Sequence, residues 1–433
     1  MTLPGQPARQ PNGQPAGQPD GQPARQPDGQ PAGQPDGQPA RQPDGQPAGQ
    51  PAPRLPGAGA EPHGFARSAS GNGPLAGVRV VELAGLGPGP QGAALLADMG
   101  CDVVSVASPA QVAMVDASLQ ATNPLARGKR SVVVDLKDPQ GLDAVLSMID
   151  AADVLIDPYR PGVCERLGIG PEVVCDRNQR LLFVRVTGWG QHGPYAQVAG
   201  HDLNYLAISG ALHLFGYSSD EPPVMPLNVL GDFAGGGMLL ALGVSAALVE
   251  RSTSGHGQVI DVAMVDGVAS LVGPFYFAAA NGGWGPRGTN MLDGGAHFYR
   301  VYRTSDDKWM AVAAIEPQFY AALLAVLELD DEPAQWDRQA WPQWGERLAA
   351  TFATATRQEW SERFAGIDAC VTPVLDPLEA PADVHMADRN TVISVNGVPQ
   401  AHVAPRFGRT PGAAGHPVHP GTHSLSDIMT SWQ

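Results

Sequence analysis

Large apolar residues are nearly absent from residues 1–73, a run of Gly-Gln-Pro-Ala, Arg-Gln-Pro-Asp and Gly-Gln-Pro-Asp units. Such a stretch cannot bury enough surface to offset the entropy of ordering it, so a disordered tail is expected there. It lacks a basic start followed by an apolar stretch, which speaks against a secretory signal. Cysteine is scarce. Cys101, Cys164, Cys175 and Cys370 show neither a CxxC pair nor metal-type spacing, so reduced thiols in a cytoplasmic protein, with no metal site, are expected. Long apolar runs are missing too: the longest, 238–249, is broken by Gly243 and Ser245, short of the roughly 18–20 residues that cross a bilayer. Positive charge is in deficit, with 27 Lys and Arg against 43 Asp and Glu and a net charge of −16. That balance disfavours nucleic acid and anionic membranes as partners. An anionic ligand would need a local cluster of cations.

What is present from Pro74 onward is an alternation of short β-branched runs with helical segments. Residues 78–83 read as a buried strand, 91–99 as a helix closed by Gly100, and 102–106 and 131–136 as further strands. Asp138-Pro139 supplies an N-cap and a first-turn proline for a helix to about 149, and strands follow at 153–156 and 181–187. This order predicts an α/β fold with a mostly parallel, doubly wound sheet whose ligands sit at the carboxyl ends of the strands. Aromatic-rich strands at 298–302 and 309–312 and helices at 318–329, 342–355 and 357–367 then form a second, smaller unit, and a short helix at 425–432 ends the chain.

The loop Gly85-Leu86-Gly87-Pro88-Gly89-Pro90 invites a dinucleotide reading. Its glycines do not follow GxGxxG, and the second strand ends in Ala107-Ser108 where a ribose-binding carboxylate would stand. A structural or ligand-contacting tight turn is the alternative. A second glycine run, Gly235-Gly236-Gly237, follows Asp232 and opens an apolar helix, where small residues permit close approach.

Four motifs stand out in order along the chain: Gly200-His201-Asp202-Leu203-Asn204-Tyr205, Gly231-Asp232-Phe233, Asn290-Met291-Leu292-Asp293-Gly294-Gly295 and Ile315-Glu316-Pro317-Gln318-Phe319-Tyr320. With them the chain from Pro74 to Phe407 resembles the α-methylacyl-CoA racemases of the family III CoA-transferase superfamily. The resemblance implies a Rossmann-like large domain (74–262 and 405–433), linkers (263–296 and 388–404), a smaller α+β domain (297–387) and an interlocked homodimer acting on an acyl-CoA substrate. It implies 1,1-proton transfer at the α-carbon through an enolate, with no cofactor beyond the CoA moiety, because the thioester itself acidifies the proton.

Such a reaction needs a base on each face of the carbon. The resemblance assigns His201, as imidazole titrates near neutrality, and Asp232, as a carboxylate beside an apolar pocket suits the second role. Glu316 would orient the histidine ring, and Asp202 would hold the thioester region through its backbone N–H. Each has a plain structural reading as well: a surface histidine, or carboxylates that cap helices. Arg127, Lys129, Arg130 and Arg166 are the candidates for the CoA phosphates, against a solvated basic turn. The sequence departs from the family at Ser105 and Ser108, where arginines are usual, and at His297, where proline is usual. Two rival readings stay open: a CoA-transferase using Asp202 as nucleophile, and a weakened acyl-CoA binder.

Overall fold

The computed structural model describes residues 72–329 and 335–433; the expected tail lies outside them except for its last two residues. Six parallel strands, β1 (Arg79–Leu83), β2 (Asp102–Ala107), β3 (Arg130–Val133), β4 (Val154–Asp157), β5 (Leu182–Thr187) and β6 (Gln258–Ala263), form one sheet in the order β3-β2-β1-β4-β5-β6. The two-residue period sends Val81, Leu83, Val104 and Phe183 to one core with Val145, Met148 and Ile149. Val80, Val103, Val154 and Val184 go to another with Leu96, Leu240 and Val244. Both faces are covered, as a parallel sheet requires.

Helix Pro88–Asp98 starts on Gly87 and ends where Gly100 turns at φ 102°. Asp138 caps helix Pro139–Asp150 through Gly141 N–H at 3.2 Å. The second start follows from its sequence signal, whereas the first helix begins at Pro88, three residues before the expected 91, with Pro88 and Pro90 in its first turn.

The run expected to be broken at Gly243 and Ser245 is instead continuous. A π-helical segment, Val229–Met238, leads straight into helix Leu239–Ser254. Together they make a 26-residue helix containing an 18-residue window of mean hydropathy 1.6, by length and composition enough to cross a membrane. Ser245 does not break it because its hydroxyl donates to Ala241 O at 2.8 Å. Its glycine side is buried, and the segment packs on helices Pro88–Asp98 and Met264–Leu271.

The second sheet is antiparallel, β7 (Tyr299–Arg303), β8 (Trp309–Ala313) and β9 (Val371–Pro373), with β8 central. It has its own core, in which Phe298, Tyr302, Tyr320, Leu348, Phe352 and Trp360 pack. Residues 388–404, expected to be a linker, contain the hairpin β10 (Val392–Val395) and β11 (Val398–Ala401), turned at Asn396 (φ 52°) and Gly397 (φ 82°). The last helix, Leu425–Trp432, returns to the parallel sheet: Ile428 and Trp432 enter its core, and Trp432 Nε1 donates to Asp102 Oδ2 at 2.8 Å.

Candidate active site

Asp202 opens helix Asp202–Ile208, and Asp232 lies in the first turn of the π-helical segment. The two are joined through the backbone. Asp202 Oδ2 accepts the N–H groups of Gly231 (2.7 Å) and Asp232 (2.8 Å). A Cβ at position 231 would lie 2.4 Å from that oxygen, so the contact requires glycine. Asp202 is 7% exposed; burial raises its pKa, and the two N–H groups work against that rise.

The Asp232 carboxylate accepts from Asn228 Nδ2 at 3.1 Å. Its other neighbour is Gly87, where a Cβ would come within 3.0 Å of Asp232 Oδ2. Gly87 has φ 64° and directly precedes helix Pro88–Asp98. The loop after β1 thus turns tightly enough to lay bare backbone against the carboxylate. Sequence reasoning singled out this loop, and Asn228 and Gly87 as neighbours of Asp232 were not foreseen. The glycine spacing was the available signal.

His201 is exposed at the N-cap of helix Asp202–Ile208, where its N–H donates to Asn204 Oδ1 at 3.0 Å. Glu316 is exposed at the N-cap of helix Pro317–Val326, with no side-chain cap hydrogen bond. Among the described residues no hydrogen bond or ion pair joins Glu316 to His201 within one chain. The structure therefore brings Asp202 and Asp232 together, and leaves Glu316 on the smaller sheet's helix.

A cleft of about 460 Å3 opens at the carboxyl ends of β1 and β2 and beside the start of β3, lined by Gly85, Leu86, Gly87, Ser105, Met114 and Lys129 among others. This is where a doubly wound sheet receives ligands. Of the four basic candidates only Lys129 lines it, and its ammonium is 2.7 Å from Glu82 Oε2 and 3.0 Å from Pro90 O. Burial pulls the Lys129 pKa down while Glu82 holds it up. Arg127 is turned to Asp98 (Nε to Oδ1 3.1 Å) and to Ala401 O. Arg130 is turned to Asp102 (2.9 Å) and lies over the Trp432 ring. Both arginines hold the scaffold, because their donors are already used by internal carboxylates. Arg166 is exposed at the end of helix Val163–Arg166, outside the cleft.

The two serines differ in place. Ser105 lines the cleft. Ser108 caps helix Pro109–Val112, accepting from Gln111 N at 3.2 Å, while Gln111 reaches back to Ser108 N–H and across to Ala84 O. His297 is fully buried, its Nε2 2.8 Å from Tyr320 Oη, and its Nδ1 has no hydrogen-bond partner among the described residues. Burial depresses its pKa to about 4.

Residues 75–423 match the model of CoA-transferase family III. An alpha-methylacyl-CoA racemase from Mus musculus is 47% identical over 341 residues, covering 78% of this chain and 87% of that protein. The protein of the same description from Homo sapiens is 46% identical over 323 residues, covering 74% and 82%. Among solved structures, a CAIB/BAIF family protein from Brucella suis shares the fold, with a TM-score of 0.71 at 24% identity over 84% of this chain and 100% of that one. Family match and identity agree over most of the chain, and the protein belongs to CoA-transferase family III.

Proposed function

We infer that this chain racemises 2-methylacyl-CoA thioesters, an isomerase of lipid metabolism that removes the α-proton on one face and returns it on the other. The observation that carries the reading is the position of Asp232. Its carboxylate lies against Gly87, and Gly87 lines the cleft at the strand ends, so a thioester whose CoA occupies that cleft has a base just behind the Gly87 turn. Asp232 takes the proton on one face and His201 serves the other. The enolate formed between the transfers is stabilised by hydrogen bonding to its oxygen, for which we assign the Asp202 N–H at the start of helix Asp202–Ile208. Asp202 itself has Oδ2 bound to two backbone N–H groups, which disfavours its use as a nucleophile in acyl transfer.

Glu316 belongs in this reading to a second copy of the chain, so that a homodimer completes the site by bringing it to His201. We place the enzyme in the cytoplasm, with no cofactor beyond the CoA of its substrate. The test is chiral analysis of a single enantiomer of a 2-methylacyl-CoA incubated with the protein. Approach to the racemic mixture is expected, slowed by roughly 10²–10⁴ in His201→Ala and in Asp232→Ala. Retained configuration, with CoA transferred to a free carboxylate acceptor and release of the free 2-methyl acid, would establish the transferase instead.

A further inference from the structure

Among the described residues, the cleft at the ends of β1 and β2 and the start of β3 holds two ionisable side chains in its lining, Glu82 and Lys129, and they are bonded to each other. Register sets Glu82 beside Ser105 and Ser105 beside Ser131, so three neighbouring strands present a carboxylate and two hydroxyls in one row across the floor. Lys129 approaches that row from the start of β3 and is used up on Glu82. The flanking cations are withdrawn as well, Arg127 to Asp98 and Arg130 to Asp102. The walls are apolar: Leu86 and Met114, 91% and 87% exposed, line it together with Val112, Val115 and Leu125. Such a cleft offers a flat heteroaromatic base flexible apolar contact and offers a phosphate dianion no unpaired cation.

We propose that the cleft holds the nucleotide end of its thioester by shape and apolar contact without reading the 3′-phosphate, so that thioesters of CoA and of 3′-dephospho-CoA are equivalent substrates. This rests on the function inferred above and specifies its substrate class. The physical basis is that a phosphate is recognised through charge-assisted bonds, chiefly from Arg and Lys, whereas here the one lysine of the lining is already neutralised in an internal pair.

The experiment compares the full-length protein with CoA and with 3′-dephospho-CoA, measuring dissociation constants by calorimetry and kcat/KM for the two 2-methylacyl thioesters. Agreement within about threefold in affinity and in kcat/KM is expected, with little dependence of the ratio on salt. Ser105→Arg places a guanidinium in the row beside Glu82. It is expected to favour CoA over 3′-dephospho-CoA by about tenfold, seen in KM rather than kcat, as for a contact made equally in ground and transition states. A preference of tenfold or more for CoA in the unaltered protein overturns the proposal, as does failure of both nucleotides to bind. Equal binding without racemisation of either thioester would sustain this proposal and remove the inferred activity instead, so the two failures are distinguishable.

Discussion

Asp202, expected from sequence to hold the thioester region through its backbone N–H and to be the nucleophile only in the rival transferase reading, also has a structural bond that the sequence does not show: its Oδ2 accepts the N–H groups of Gly231 and Asp232. In the proposed reading it acts through Asp232, fixing the backbone that carries the proposed base. Asp202→Ala strands two N–H groups, at about 1–3 kcal/mol for each left unpaired, and is expected to lower kcat more than it raises KM. Asp202→Asn keeps an acceptor oxygen and should retain much more activity than the alanine variant. Equal loss in both would mean that the negative charge or nucleophilicity matters, not the acceptor. None of this was legible in the sequence, because a bond between residues 202 and 231 depends on how two helix starts meet. The glycine before Asp232 was visible, but the carboxylate that makes a side chain there impossible was not.

At the scale of elements, the parallel strands and their helices were readable because period-two burial, N-caps and C-terminal glycines are local signals. β6 was missed: its exposed first half, Gln258 and Val259, hides the alternation of a sheet-edge strand. The Asn396-Gly397 hairpin was missed although that dipeptide between short β-branched runs is a strong turn signal. The Asn290–Gly295 motif proves to be a self-stapled loop, in which Asp293 accepts from Gly288 N, Asn290 N and Asn290 Nδ2. That Arg127 and Arg130 turn to Asp98 and Asp102 was not legible for a physical reason: a basic turn looks the same in sequence whether its charges face solvent or internal carboxylates.

The pair Arg127–Asp98 ties helix Pro88–Asp98 to the turn before β3. Arg127→Met leaves Asp98 buried without its partner, which is expected to cost about 3–5 kcal/mol in urea unfolding with KM for acyl-CoA almost unchanged. A large rise in KM with intact stability would return Arg127 to the ligand. In the small sheet's core, His297 stays neutral because its ring is enclosed by Phe298, Tyr320 and Trp344. Its folded pKa of about 4 lies below the ordinary 6.5, so the unfolded chain binds the extra proton. Stability from this group is therefore full above pH 6.5 and declines as pH falls toward 4, by up to about 3 kcal/mol. Urea midpoints of the protein and of His297→Asn across that window test the point: the variant's curve should be flatter there. Parallel curves would mean that His297 protonates without opposing the fold.

For the whole molecule, the central claim is that a cleft at the strand ends delivers an α-carbon to Asp232 for proton exchange with inversion. The α/β class with its parallel sheet was accessible from sequence, and the candidate bases were nominated there by a run of motifs in the family's order. Their joint geometry was not, since Asp232 and Gly87 are distant in sequence and meet only when the sheet is wound. The most direct measurement is mass spectrometry with chiral separation after incubating one enantiomer of a 2-methylacyl-CoA in D2O. The account predicts that the inverted enantiomer carries solvent deuterium at C2 with no other chemical change, and that Asp232→Ala abolishes most of that label. Inverted product without deuterium, or no label at C2 across a series of acyl chains, would contradict it.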